Sequence, residues 1–301
     1  MKVLANDGIS KEGADIITNA GFDLSTDKIA QEDLNERLKE YDAIIVRSAT
    51  TVRKELIDNS NLKVIGRAGV GMDNIDVDYA RSKGIAVVNT PAASSASVAE
   101  LVFAHLFSLA RFTHRSTTAM ENGEWPKKEY KGFELAGKTI GLIGFGNIAL
   151  ETAKIALALG MKVCTYNRTE VETNLNVNIC NDLDEMLSKS DIVSLHIPFE
   201  KEEGATISKE QIDKMKDGAI LINCARGGVV DESALLEGLN SGKIAGAGID
   251  VWINEPTTEA QAELIKHPNV SATPHIGGTT KEAQDRVGIE IAEKIVEELK
   301  K

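Results

Sequence analysis

The sequence predicts an α/β protein built from two doubly wound parallel sheets, and three observations carry that prediction. Short unbroken runs of β-branched and other apolar residues alternate with amphipathic stretches along the whole chain. A break at Asn89-Thr90-Pro91 separates one such series from another. The length of 301 residues also exceeds that of an ordinary single domain. Strands that are apolar throughout, rather than at every second residue, are buried on both faces, which is the pattern of a parallel sheet covered by helices.

The first series reads strand at Lys2-Val3-Leu4-Ala5, Ala43-Ile44-Ile45-Val46, Val64-Ile65 and Ile85-Ala86-Val87-Val88. Between these lie helical stretches at Lys11 to Ala20, Glu32 to Leu38 and Asp76 to Lys83, the first and last closed by Gly21 and Gly84. A glycine just past a helix supplies the left-handed residue that ends it. After the break, Ser97-Val98-Ala99-Glu100 reads as a capping box opening a helix from Leu101 to about Met120. That helix is apolar nearly all round, so an interior or subunit-interface position is expected. The second series follows with strands at Thr139 to Ile143, Lys162 to Tyr166, Ile192 to His196, Ala219 to Asn223 and Gly246 to Val251. An amphipathic helix, Lys281 to Leu299, comes last.

Composition excludes several classes of function. The chain is 42% hydrophobic and 27% charged, ordinary for a protein with a full core. A formal charge of −12 argues against nucleic acid or an anionic membrane as partner, and means that an anionic substrate needs cations gathered at its site. The start lacks a basic segment followed by an apolar one, so no secretory signal is expected. The longest apolar run, Leu101 to Ala110, is too short to span a bilayer and contains His105. The cysteines Cys164, Cys180 and Cys224 are few and not spaced for a metal, which suits a reducing cytoplasm; no metal is expected.

Chemistry begins at Gly144-Phe145-Gly146-Asn147-Ile148-Ala149, a dinucleotide fingerprint with alanine at its last position. Its context makes it specific, because it follows the strand Thr139 to Ile143 and opens a helix at Leu150 to Leu159, with another strand ending at Tyr166. Gly144 permits the tight turn, Gly146 lets backbone N–H groups approach a pyrophosphate, and Ala149 keeps helix and strand close. An acidic residue past the next strand would hold the ribose of NAD. Asn167-Arg168-Thr169 stands there instead. Loss of the carboxylate removes repulsion of a 2′-phosphate, and Arg168 is placed to pair with one. The residues alone leave NAD and NADP open.

Three polar residues follow later strands. Arg226 precedes Gly227-Gly228, Glu255 lies in Asn254-Glu255-Pro256, and His275 lies in Pro274-His275-Ile276-Gly277-Gly278. Alcohol oxidation needs a base for the hydroxyl proton, and histidine suits that near neutral pH. A carboxylate beside it favours imidazolium. A guanidinium can grip a substrate carboxylate with two parallel bonds and polarise the adjacent carbonyl. Taken singly, each also reads as a turn or loop residue; together, beside a nucleotide fold, they point to hydride-transfer chemistry.

These motifs, with Val46-Arg47-Ser48-Ala49-Thr50, Gly66-Arg67-Ala68-Gly69-Val70-Gly71-Met72-Asp73-Asn74 and Asn223-Cys224-Ala225-Arg226-Gly227-Gly228-Val229-Val230-Asp231-Glu232, resemble the D-isomer-specific 2-hydroxyacid dehydrogenase family nearly end to end. The resemblance implies two Rossmann-like or flavodoxin-like domains, a substrate domain from residues 1–92 plus 276–301 and a dinucleotide domain from 93–275. It implies Arg226, Glu255 and His275 as the catalytic trio. Cofactor contacts would fall on Val70, Gly144, Gly146, Asn147, Ile148, Asn167, Ile197, Cys224, Ala225, Asp250, Gly277 and Gly278. The substrate would meet Arg47, Ser48, Arg67, Val70 and Gly71, the two arginines being candidates for a phosphate. Implied too are NAD as cofactor with NADP not excluded, a homodimer, and a small phosphorylated D-2-hydroxy acid as substrate, 3-phospho-D-glycerate first. Glyoxylate or hydroxypyruvate reduction is the alternative, and a dinucleotide-sensing scaffold of the same fold a more distant one. Departures from the family pattern are Asn147 for arginine, Ala149 for glycine and Asn167 for aspartate. Because the last helix runs to the end at Lys301, no serine-binding regulatory module is expected.

Overall fold

A computed structural model describes residues 1–301, which divide into two compact units, Met1–Ser95 with Gly278–Lys301, and Ala96–Gly277. In the first unit the chain runs β1 (Lys2–Ala5), α1 (Lys11–Asn19), β2 (Asp23–Ser25), α2 (Leu34–Arg37), β3 (Ala43–Val46), α3 (Lys54–Asp58), β4 (Val64–Arg67), α4 (Val77–Ser82) and β5 (Ala86–Asn89). The C-terminal helix, Lys281–Leu299, completes it. All strands are parallel, in the order β2-β1-β3-β4-β5. The alternation of side chains explains why these strands are apolar throughout. Leu4, Ile44, Val46 and Ile65 face one layer, while Val3, Ala43, Ile45 and Val64 face the other, against Ile291 and Ile295 of the C-terminal helix. Burying one such isoleucine fully is worth about 1.5–3 kcal/mol.

The second unit begins with α5 (Ser95–Arg111) and α6 (Thr113–Glu121). It continues through β6 (Thr139–Ile143), α7 (Asn147–Ala158), β7 (Lys162–Tyr166), β8 (Val177–Ile179), α8 (Leu183–Lys189), β9 (Ile192–Leu195) and α9 (Lys209–Lys214). Last come β10 (Ala219–Asn223), α10 (Glu232–Ser241), β11 (Ile244–Ile249), α11 (Ala262–Lys266) and β12 (Val270–Ala272). The seven parallel strands lie in the order β12-β11-β10-β9-β6-β7-β8. Winding starts at β6 and reverses between β6 and β9, and ligands of such sheets bind beyond the strand carboxyl ends at that reversal. The equivalent reversal in the first unit falls between β1 and β3. Both sheets therefore have the doubly wound architecture that the sequence predicts.

The continuous helix expected from Leu101 to Met120 is two helices. Phe112 sits between them with φ 54°, and the axes bend by 61°. The carbonyl of Ala110 accepts the N–H of Phe133 at 3.1 Å instead of continuing the helical ladder. Phe112 packs its ring 5.7 Å from Tyr130, so the arm that follows α6 meets the break through both backbone and ring. No single helix is long and apolar enough to cross a membrane.

Candidate active site

The fingerprint forms the turn that its glycines require. Gly144 has φ +86°, and a Cβ there would lie 2.6 Å from the carbonyl oxygen of His196. Gly146 ends the turn as the residue before α7 and, having no side chain, adds no cap of its own to that helix. A Cβ at Gly146 would enter open space. A helix N-terminus opening on a glycine turn, at the exposed end of a helix and at the sheet's reversal point, is the structure a pyrophosphate needs. Ala149 is wholly buried against the sheet, Ile148 half-buried and Asn147 exposed. These residues fit a dinucleotide, with the loop at residues 144–148 holding its phosphates.

The end of β7 is tied in two directions. Asn167 accepts the N–H of Phe145 on Oδ1 at 3.3 Å, while its Nδ2 donates to the carbonyl and Oγ1 of Thr169 at 3.0 and 2.8 Å. The guanidinium of Arg168 grips both oxygens of Glu203, with Nη1 to Oε1 at 3.0 Å. Sequence reading places Arg168 to pair with a 2′-phosphate, and misses Glu203 because it stands 35 residues away. Ile197 is half-buried beside the glycine turn. Burial pushes the thiol of Cys224 well up, with the charge of Asp250 adding to the effect. Cys224 is therefore a neutral packing residue next to the buried Ala225.

Arg226 is presented by a turn clamped from within. Asn223, buried at the end of β10, accepts the N–H of Ala225 at 3.1 Å and donates to the carbonyl of Arg226 at 2.9 Å. Arg226 donates through Nη1 to the carbonyl of Ala225 at 2.6 Å. The next residue must be glycine, because a Cβ at Gly227 would fall 1.9 Å from the carbonyl oxygen of Trp252.

His275 and Glu255 meet. Nδ1 of His275 lies 2.6 Å from Oε2 of Glu255, and Oε1 of Glu255 accepts the N–H of Trp252 at 3.0 Å. A carboxylate on Nδ1 puts the proton there and turns Nε2 outward as the working nitrogen. The hydrogen bond to Glu255 raises the pKa of His275, against the opposing effects of burial and of Arg226; the charges of Glu255 and Asp250 add to the rise. For Glu255, burial alone would raise the value, but the bonds from His275 and Trp252 and the charges of His275 and Arg226 hold it below the ordinary one. His275 also has φ 54°, a left-handed conformation that costs a non-glycine residue of order 1–3 kcal/mol. The buried Asp250 holds that strain. Its carbonyl accepts the His275 N–H at 2.8 Å, and its carboxylate accepts the N–H groups of Ile276 and Gly277 at 2.8 and 2.9 Å and the Thr273 hydroxyl at 2.6 Å.

In the first unit, Arg47 and Arg67 stand at the carboxyl ends of neighbouring strands, Val46 pairing with Arg67 in register. The carboxylate of Asp7, just past β1, accepts the Arg47 N–H at 2.7 Å and the Thr50 N–H and hydroxyl at 3.1 and 2.7 Å, and it also pairs with Lys28. Sequence reading does not single out Asp7; a carboxylate directly after a buried strand is the available signal. Arg67 donates to the carbonyl of Ala68 at 2.7 Å. Ser48 is exposed, and Val70 and Gly71 are half-buried in the loop after β4. Gly278 also belongs to this unit, next to Ser94.

A dinucleotide loop with an imidazole–carboxylate couple and a guanidinium on the strand ends of one sheet defines a nicotinamide-dependent oxidoreductase. Comparison with known proteins gives the family. Residues 103–277 match the D-isomer specific 2-hydroxyacid dehydrogenase NAD binding domain. The chain is similar to hydroxypyruvate reductase of Thermotoga maritima, 47% identical over 301 residues, covering 99% of this chain and 98% of that one. It is also similar to D-3-phosphoglycerate dehydrogenase of Methanocaldococcus jannaschii, 42% identical over 299 residues and 98% of this chain. This chain spans only 57% of the length of that relative. Among solved structures, D-lactate dehydrogenase from Aquifex aeolicus, complexed with NAD and lactic acid, superposes with a TM-score of 0.85 at 31% identity, covering 100% of this chain and 96% of that one. The chain belongs to the D-isomer-specific 2-hydroxyacid dehydrogenase family, and residues 103–277 form its NAD binding domain.

The pH dependence of turnover follows from the couple. If His275 carries the proton, reduction of a 2-keto acid needs its imidazolium, so kcat/KM for reduction should hold below the raised pKa and fall above it. Oxidation needs the free base and should fall below the same pKa. Glu255→Gln removes the raising carboxylate, so both limbs should move to lower pH. Limbs that stay in place in that variant would detach Glu255 from the titration.

Proposed function

We propose that the enzyme oxidises 3-phospho-D-glycerate to 3-phosphohydroxypyruvate with NAD, a step toward serine, as a cytoplasmic homodimer. The observation that carries the substrate is the pair Arg47 and Arg67 on the adjacent ends of β3 and β4, Arg47 bordering the reversal of the first sheet, where Asp7 fixes its backbone. Guanidinium forks are the side chains best matched to a phosphate monoester. Arg226 grips the substrate carboxylate, and His275 accepts the C2 hydroxyl proton on Nε2 while Glu255 stabilises the imidazolium. A dinucleotide held by the loop at residues 144–148 would supply the acceptor for the C2 hydride.

A second reading, hydroxypyruvate reduction, is favoured by the 47% identity with a reductase that matches this chain over nearly its whole length. The two are separated by kcat/KM for 3-phosphoglycerate and phosphohydroxypyruvate against D-glycerate and hydroxypyruvate. The first predicts a preference for the phosphorylated pair of about a hundredfold or more, since one well-placed charge-assisted contact to a phosphate is worth about 1.5–3 kcal/mol and two are offered. Equal or reversed preference selects the second. Arg47→Ala should raise KM for phosphohydroxypyruvate about tenfold or more and leave that for hydroxypyruvate nearly unchanged. Equal changes on both would remove Arg47 from phosphate recognition.

A further inference from the structure

His105 is a buried histidine that the chemistry above does not use, 2% exposed on α5 inside an otherwise apolar face. Both its ring nitrogens are engaged. Nδ1 lies 2.8 Å from Oγ of Ser271 on β12, and Nε2 lies 3.2 Å from Oγ1 of Thr273 just beyond that strand. The same Thr273 hydroxyl lies 2.6 Å from Oδ1 of Asp250. The site is shaped for the ring, since a Cβ at Gly248 on β11 would lie 2.6 Å from the Cβ of His105. A polar ring so deep in an apolar layer is costly unless every polar atom is satisfied.

The hydrogen count fixes its tautomer. Asp250 accepts from Thr273 and from the N–H groups of Ile276 and Gly277, and an ionised carboxylate has no proton to give. Thr273 has one hydroxyl hydrogen and spends it on Asp250. Its oxygen must then accept from His105, which puts a hydrogen on Nε2. Burial holds the pKa of His105 down, with only the charge of Asp250 opposing. The ring is therefore neutral, and Nδ1 accepts from Ser271. Donors and acceptors line up in one direction, from Ser271 through His105 and Thr273 to Asp250, and bonds in such a chain polarise one another.

We propose that His105 is a positioning residue for the catalytic loop, a neutral Nε2–H strut that orients Thr273 and Asp250 and so holds His275 in its left-handed conformation. This rests on His275 being the proton carrier. His105 touches neither the reacting atoms nor the dinucleotide turn; it acts through Asp250. The charged groups facing His275 are Glu255, Asp250 and Arg226, and only Asp250 also faces His105.

The test compares two variants with the whole protein. His105→Leu removes both polar contacts in an apolar setting, while His105→Gln keeps an N–H donor for Thr273 and an oxygen for Ser271. The expectation is that His105→Leu lowers kcat about tenfold, as small misplacements of a catalytic group do, with the Kd for NADH changed less than about twofold, the scale of a few tenths of a kcal/mol. His105→Gln should recover most of kcat. Equal losses in both variants, or wild-type kcat in a folded His105→Leu, would overturn the proposal. Nitrogen-15 shifts of the His105 ring in the wild-type protein provide a readout that no folding defect obscures. The expected pattern is a protonated Nε2 and a bare Nδ1, and the reverse tautomer rules out the strut. Activity surviving in His275→Ala would instead refute the role of His275 itself, so the two failures are distinguishable.

Discussion

His275→Ala should lower kcat by about 10²–10⁴-fold in both directions, the range in which a positioned acid–base group works, while NADH still binds with nearly wild-type Kd. The expectation follows from geometry. His275 is the only imidazole of the second unit held on a carboxylate, with Nδ1 on Glu255 at 2.6 Å and the far nitrogen turned away from that bond. The residue is held in a left-handed backbone conformation by Asp250, and strain maintained by surrounding bonds is a mark of a working residue. Removal of the ring leaves Oε2 of Glu255 without the imidazole but does not touch the turn at residues 144–148. Stopped-flow turnover and fluorescence titration of NADH separate the two effects. A loss of turnover explained by weakened NADH binding would contradict the assignment.

Arg226→Lys should be almost as damaging, lowering kcat/KM by about 10²–10³-fold, the range seen when a donor aimed at developing charge is removed. Lysine preserves the charge but replaces a rigid planar fork with a single mobile ammonium, which cannot bridge a carboxylate and its neighbouring carbonyl together. The clamp by Asn223 and the tight turn at Gly227 show that this position is built to a fixed geometry. Steady-state kinetics with any accepted 2-keto acid measures the effect. KM should rise and kcat fall together, because the fork binds both the substrate and its activated form. Loss confined to KM would limit Arg226 to binding, and full activity in the lysine variant would exclude it.

Most of the fold is legible in the sequence because each long strand is buried on both faces and each helix between strands carries one apolar stripe. Three of the four edge strands escape this logic. β2, β8 and β12 have three residues each, too few for a period, and their place comes from pairing with β1, β7 and β11. The break at Phe112 has no local cause such as proline or glycine; it depends on Tyr130 and Phe133 arriving from the following arm. At the site, the fingerprint glycines and the three polar residues after strands can be read locally. What cannot be read is who holds whom. The pairings of Asp7 with Arg47, Arg168 with Glu203 and His105 with Ser271 join residues 40, 35 and 166 positions apart. Only the completed sheets bring them together.

The most direct measurement is kcat/KM across pH in both directions, on the wild-type enzyme and on His275→Ala. One shared group should govern both profiles. Reduction should decline as pH rises and oxidation as it falls, each through a pKa above that of an ordinary histidine, and both inflections should vanish in the alanine variant. Inflections that persist at the same pH without His275 would show that the proton is carried elsewhere.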